Sequence, residues 1–208
     1  SMLSSYLFSE EGIFNFDLLK KIKQFPNKLT YENLGVDTND RNELIKNSIR
    51  AQQEINKGRS VGFMKTHNML YNFKGQHPFT DYNNSLGVVY VVRDPRNVVV
   101  SYARHVDVSL KEAVKIVTKS VSTNVMIQGN WSQNYLSWKS FRENNRYLLI
   151  KYEDLISNRE ETFLKILRFL FKLRNINLIV DQNKLKNVIE TTSFENLKKL
   201  EKQDGFTE

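Results

Sequence analysis

Residues 86–92 are apolar at nearly every position, Leu86-Gly87-Val88-Val89-Tyr90-Val91-Val92, and the run stops abruptly at Arg93-Asp94-Pro95. Seven residues are too few for a buried helix, and the β-branched content favours a strand. Without polar alternation, the strand is expected to be covered on both faces, as in a parallel sheet between helices. The run leads into a helix start: an aspartate suited to capping and a proline suited to the first helical position. Two further short apolar segments, 60–64 and 147–150, read as buried strands. The intervals 39–57, 110–126, 131–144 and 160–171 read as helices, the last with a broad apolar stripe at helical spacing. Strands alternating with helices define an α/β, doubly wound architecture: a mostly parallel sheet flanked by helices in a three-layer sandwich. Ligands of such folds sit outside the carboxyl ends of the strands.

The three strand ends carry Lys65-Thr66-His67, Arg93-Asp94-Pro95-Arg96-Asn97 and Lys151-Tyr152-Glu153-Asp154. Side by side, they would gather a lysine, a histidine, an arginine and a tyrosine on one edge, a set suited to an anionic ligand with an aromatic ring. The turn after Asp94 offers helix N–H groups and a positive dipole end to an anion. Arg93 adds a charge-assisted contact, and Ser101, about two turns along, is expected to reach the same anion. Taken by itself, the segment is equally a capped helix whose arginine makes a surface ion pair. His77, beside Gly75 and Pro78, reads as surface, and His105 as structural or acceptor-adjacent. Trp131 and Trp138, seven apart on one helical face, read as core.

Composition narrows the function. The 208 residues suffice for one domain with a substantial core, and eight glycines and three prolines mark no linker. The absence of cysteine excludes disulfides, thiolate metal sites and a cysteine nucleophile. No metal-ligand spacing appears, so no metal is expected. No apolar run is long enough to span a bilayer and no basic-then-apolar leader opens the chain, so a cytoplasmic protein with no membrane partner is the simplest reading. The net charge of +8 favours anions. The lysines are scattered among acids with no arginine-rich block or aromatic stacking motif, which leaves a polyanionic nucleotide, nucleic acid or a merely lysine-rich surface open; that no nucleic-acid partner is expected rests on the motifs below.

The strand end and helix Tyr90-Val91-Val92-Arg93-Asp94-Pro95-Arg96-Asn97-Val98-Val99-Val100-Ser101-Tyr102 resembles the 3'-phosphate-binding segment of sulfotransferases, R-[DN]-P-[RK]-[DN]-V-x-x-S-Y. Lys65-Thr66-His67 resembles the family's K-[TS]-H segment, and Tyr152-Glu153-Asp154-Leu155 its Y-E-D-[LM] strand end. Thr192-Ser193-Phe194-Glu195-Asn196-Leu197 is similar to its T-S-F-x-x-[ML] segment. Four motifs in order cover the chain from about residue 61 to 197. The resemblance implies a P-loop nucleotide-hydrolase-like fold and sulfuryl transfer from 3'-phosphoadenosine-5'-phosphosulfate (PAPS) to a hydroxyl or amine, with adenosine 3',5'-bisphosphate (PAP) as product. It implies His67 as general base and Lys65 as the stabiliser of developing charge. Arg93 and Ser101 would hold the 3'-phosphate, and Tyr152, Thr192 and Phe194 the adenine. Small alcohols, phenols or amines are the implied acceptors.

Two family segments have no counterpart in these residues: the phosphosulfate loop P-K-[ST]-G-[TN]-[TS]-W that ends the family's first strand, and the closing R-K-G segment. The expectation is therefore one sulfotransferase domain, truncated and lacking its first strand, weakly active or inactive as it stands. Its open sheet edge would favour self-association. The alternative class is a nucleotide- or nucleic-acid-binding module without catalysis. A P-loop kinase would need the glycine-rich loop these residues lack.

Overall fold

The computed structural model describes residues 1–58, 61–119, 121–122 and 126–205, with Val121, Ser122 and Asp204 described by their backbone alone. The chain divides into two compact units, one of Ser1–Lys23, Gly62–Lys65 and Asp154–Glu208, the other of Gln24–Val61 and Thr66–Glu153.

The second unit holds the parallel pair anticipated from the apolar runs. The strand Val88–Val92 pairs with Tyr147–Lys151 in register Val88↔Tyr147 to Val92↔Lys151. Their carboxyl ends therefore finish side by side. Parallel strands need a long crossover, and here it contains the helices Pro95–His105, Leu110–Thr118 and Trp131–Ser137. The first of these is capped by Asp94, with Pro95 opening it and Arg104 and His105 in its last turn, where positive charge complements the helix dipole. Among the described residues each strand of the pair has only the other as partner. Val91 is 50% exposed, not covered on both faces as its sequence implied.

Other expected boundaries moved. The first predicted strand begins at residue 60, outside the described residues; residues 61–63 form no strand, and only Met64–Lys65 is extended and paired. The helix expected over 110–126 opens on a capping box between Ser109 and Glu112 but ends at Thr118. The Thr118 hydroxyl bonds back to the Val114 carbonyl at 2.7 Å, and Lys119 is extended. Val121–Ser122 then pairs antiparallel with Ile127–Gly129; residues 120 and 123–125 lie outside the described residues. The helix expected over 39–57 is two helices, Arg41–Lys46 and Ser48–Ile55. They part at Asn47, whose amide donates to the Glu43 carbonyl at 2.9 Å and so competes with the helical ladder. Phe25, Tyr31, Phe79, Trp138 and Phe141 form this unit's aromatic core. Trp131, by contrast, is only half-buried and stacks on Tyr135.

The first unit is helical: Met2–Phe8, Arg159–Leu173, Gln182–Thr191 and Phe194–Asp204. Phe163, Ile166 and Leu167 supply the buried stripe of the second of these, and Tyr6, Leu185 and Val188 are buried in the same unit. Tyr6 meets Phe163 edge-on at 5.7 Å. Gly12, at φ +79°, passes so near the Lys184 carbonyl that a Cβ would overlap it. Only glycine has both the left-handed conformation and the clearance.

Candidate functional site

Arg93 and Tyr152 each follow the last residue of a parallel strand, and the register Val92↔Lys151 sets them opposite each other. The Arg93 guanidinium lies over the Tyr152 ring, 4.5 Å from its centroid. Arg93 is half-buried, and among the described residues it enters none of the ion pairs. A half-buried cation is costly unless its charge is met; stacking on a ring orients it and meets that cost only in part. Arg93 and Tyr152 together present a cation and a ring at the paired strand ends. The alternative anticipated from the sequence, a surface ion pair, falls to Arg96 instead: its guanidinium bonds the Asp94 carboxylate at 2.5 to 3.1 Å.

Asp94 holds the junction. Its carboxylate accepts from the Arg96 backbone N–H at 2.9 Å, while its own N–H donates to the Glu153 carboxylate at 3.2 Å. The hydrogen bonds from the Arg96 side chain, then from its backbone, hold the Asp94 carboxyl down at about 2. The two strand ends are thus tied twice, by Asp94 to Glu153 and by Arg93 to Tyr152. Ser101 lies further along the same helix and is exposed.

His67 is exposed, and its backbone is fixed to the same unit by Asn134. The Asn134 amide donates to the carbonyls of His67 at 3.0 Å and Gln128 at 2.9 Å, and its oxygen accepts from the Tyr90 hydroxyl at 2.9 Å. Tyr90 belongs to the strand that ends at Arg93. Burial and then the neighbouring Tyr147 push the Tyr90 hydroxyl well above its ordinary range, so it remains a neutral donor. Neither Asn134 nor Glu153 was among the candidates. Asn134 carries no signature beyond lying one turn into a helix capped by Asn130 and Gln133.

The remaining candidates lie in the other unit. Lys65 closes the short strand Met64–Lys65 and is exposed. Thr192 is buried: its hydroxyl donates to the Val188 carbonyl at 2.6 Å and accepts from Arg159 at 3.1 Å. Phe194 opens the last helix and is 66% exposed.

Residues 9–205 match the model of the sulfotransferase domain family. Among similar proteins, mouse sulfotransferase 2A6 is 31% identical over 121 residues, 56% of this chain and 40% of its own. The luciferin sulfotransferase of Photinus pyralis is 26% identical over 160 residues, 76% of this chain and 40% of its own. The chain thus spans about two fifths of the length of the curated relatives it matches. A retinol dehydratase solved with androsterone and the inactive cofactor PAP superposes with a TM-score of 0.59 at 15% identity, covering 96% of this chain and 62% of the other. A mouse sulfotransferase solved with PAP gives 0.53 at 21%, covering 70% and 51%. These likenesses establish the fold as the P-loop-like α/β class.

Proposed function

The chain belongs to the sulfotransferase domain family, and from that premise we propose that it is a PAPS-dependent sulfotransferase domain acting on a hydroxyl or amine of a small molecule. The observation that carries this reading is Arg93, half-buried, stacked on Tyr152 and outside every described ion pair, at the paired carboxyl ends of two parallel strands. A phosphate beside an adenine has the charge for the one and the ring for the other. Arg93 with Ser101 holds the 3'-phosphate, and Tyr152 meets the base. Thr192 and Phe194 complete the adenine site in this proposal. The exposed Phe194 ring makes the contact, while Thr192, its hydroxyl engaged by Val188 and Arg159, holds the end of the preceding helix.

When bound, the nucleotide supplies a sulfuryl group whose bond to the bridging phosphate oxygen breaks as the acceptor oxygen or nitrogen bonds to sulfur, leaving PAP. His67 takes the acceptor's proton on an imidazole nitrogen, the role of a general base. Asn134 holds the His67 backbone while that proton moves. Lys65 sets a cation against the negative charge that develops as the bond breaks. No metal is assigned a role. The whole of residues 1–208 acts as a single domain and resides in the cytoplasm; among the described residues no helix is long and apolar enough to cross a membrane. Because the phosphosulfate loop is absent from these residues, they alone should transfer sulfuryl groups weakly or not at all.

A transfer assay with PAPS and simple phenols tests the reading, on this chain and on one extended to carry a phosphosulfate loop. Transfer that appears with the loop and disappears on His67→Ala supports it. Transfer indifferent to His67 would remove it as the base; no transfer even with the loop, together with steeply salt-dependent binding of oligonucleotides and no nucleotide binding, would replace the reading by the nucleic-acid module.

A further inference from the structure

Within the larger unit a cleft of about 430 Å³ opens beside the segment that comes after His67. Its volume falls in the range of small-molecule sites, roughly 300 to 1,000 Å³. Ile45, Tyr71, Phe73 and Ile127 make its apolar wall, and Arg41 and Lys74 stand on its lining as well. The wall is held in place. Tyr71 packs on buried Phe79 at 5.4 Å, and its hydroxyl lies 2.9 Å from the Ser48 hydroxyl, which donates to the Leu44 carbonyl. Ile127 is bonded on both sides to the residues after His67: its N–H donates to the Asn68 side chain at 3.1 Å, and its carbonyl accepts from the Met69 N–H at 2.9 Å. Asn134 fastens the next carbonyl, Gln128, and that of His67 together. The cleft wall and the proposed base are therefore parts of one hydrogen-bonded segment.

The charge of the cleft is one-sided. None of its lining residues is acidic, and among the described residues neither Arg41 nor Lys74 enters an ion pair. The acids nearest in sequence to Arg41 are engaged elsewhere. Asp40 caps the helix through the N–H groups of Asn42 and Glu43, and Glu43 pairs with Lys46 at 2.9 Å. Lys74, in the turn between the antiparallel strands Asn72–Phe73 and His77–Pro78, sits 5.5 Å from the Phe73 ring.

We propose that this cleft seats the acceptor, and that the acceptor is a small aryl hydroxyl or amine bearing a carboxylate or comparable anionic substituent. The aromatic wall takes the ring and the two cations take the charge. The inference rests on the transferase reading above, and its test is arranged to be independent of the donor. Binding of 4-hydroxyphenylacetate, phenol and tyramine to the 208-residue chain is measured by calorimetry without nucleotide. The anionic probe is expected to bind about tenfold or more tightly than tyramine, the gain of one charge-assisted contact. An Arg41→Gln/Lys74→Gln double variant should erase that preference, and Arg41→Lys should keep part of it. Both side chains are exposed, and melting curves check that the variants fold; the wild-type comparison decides even if one does not. Equal binding of anionic and cationic probes, a preference that survives the double substitution, or no saturable binding of any probe would overturn the proposal. If the probes fail while Arg93-dependent PAP binding persists, the cleft inference alone has failed. Should the anionic probe bind and PAP not, the donor reading has failed and the anion-selective cleft remains.

Discussion

Arg93 is the residue on which the proposed donor site turns, and its environment separates it from its neighbour Arg96. Its motif position singled out Arg93 in the sequence; the structure gives Arg96 to the Asp94 carboxylate and leaves Arg93 over Tyr152. In the proposed donor site the tyrosine has two duties, orienting the guanidinium and meeting the base. Tyr152→Phe preserves both and should leave PAP affinity within about threefold of wild type, whereas Tyr152→Leu should weaken it about tenfold, the scale of a partly desolvated cation–π contact; calorimetric titration distinguishes the two. Asp94 makes a pH prediction. Its folded carboxyl lies at about 2, below the ordinary 3.8. It therefore contributes stability fully above the ordinary value, and that contribution is lost as pH falls through the folded one. Helix content measured by circular dichroism should show a step between about pH 4 and pH 2 that Asp94→Asn removes; an unchanged acid profile in that variant would remove Asp94 from this role. Arg93, Tyr152 and His67 were legible as candidates because each sits at a motif position just after a strand, and Ser101 by its motif spacing along the helix. Asn134 was not, because its function lies in partners that only folding brings to it, Tyr90 and His67 being far off in the sequence.

At the scale of elements, what the sequence revealed was the apolar runs, and what it hid were local competitions at their ends. The strands at Val88–Val92 and Tyr147–Lys151 fell almost where the β-branched runs placed them. The helix beginning at Leu110 continued in apolar periodicity past its true end, because periodicity does not register the Thr118 hydroxyl bonding back into its own turn. Its start is better specified: the capping box of Ser109 and Glu112 satisfies two N–H groups. Ser109→Ala should cost about 1 kcal/mol in urea denaturation, the usual worth of such a cap. In the helical unit, Leu167 is fully buried in the Arg159–Leu173 helix. Leu167→Ala should cost about 2 to 5 kcal/mol depending on how far the site collapses. A change below about 1 kcal/mol in chemical denaturation would mean that this stripe does not carry the unit.

The molecule as a whole presents a parallel pair with open edges among the described residues. Val91, half exposed on that pair, puts apolar surface next to unpaired backbone, the condition under which strands recruit other strands. Sedimentation velocity should show association that grows with concentration and recedes in Val91→Lys; a monomer at all concentrations would show the edges to be protected. The fold class was legible because strand runs alternated with helical intervals. The division into two units was not, because each unit is assembled from segments far apart in the chain, Gly62–Lys65 with Asp154–Glu208 among them. The account as a whole depends on Arg93 and Tyr152 forming the half-site for a 3'-phosphorylated adenosine. Calorimetric titration with PAP and with adenosine 5'-monophosphate, on wild type and Arg93→Ala, tests that most directly. The account predicts PAP to bind at least about tenfold more tightly than the monophosphate, the worth of one charge-assisted phosphate contact, and Arg93→Ala to abolish the difference. Equal affinity for the two nucleotides, or discrimination that survives the loss of Arg93, would contradict it.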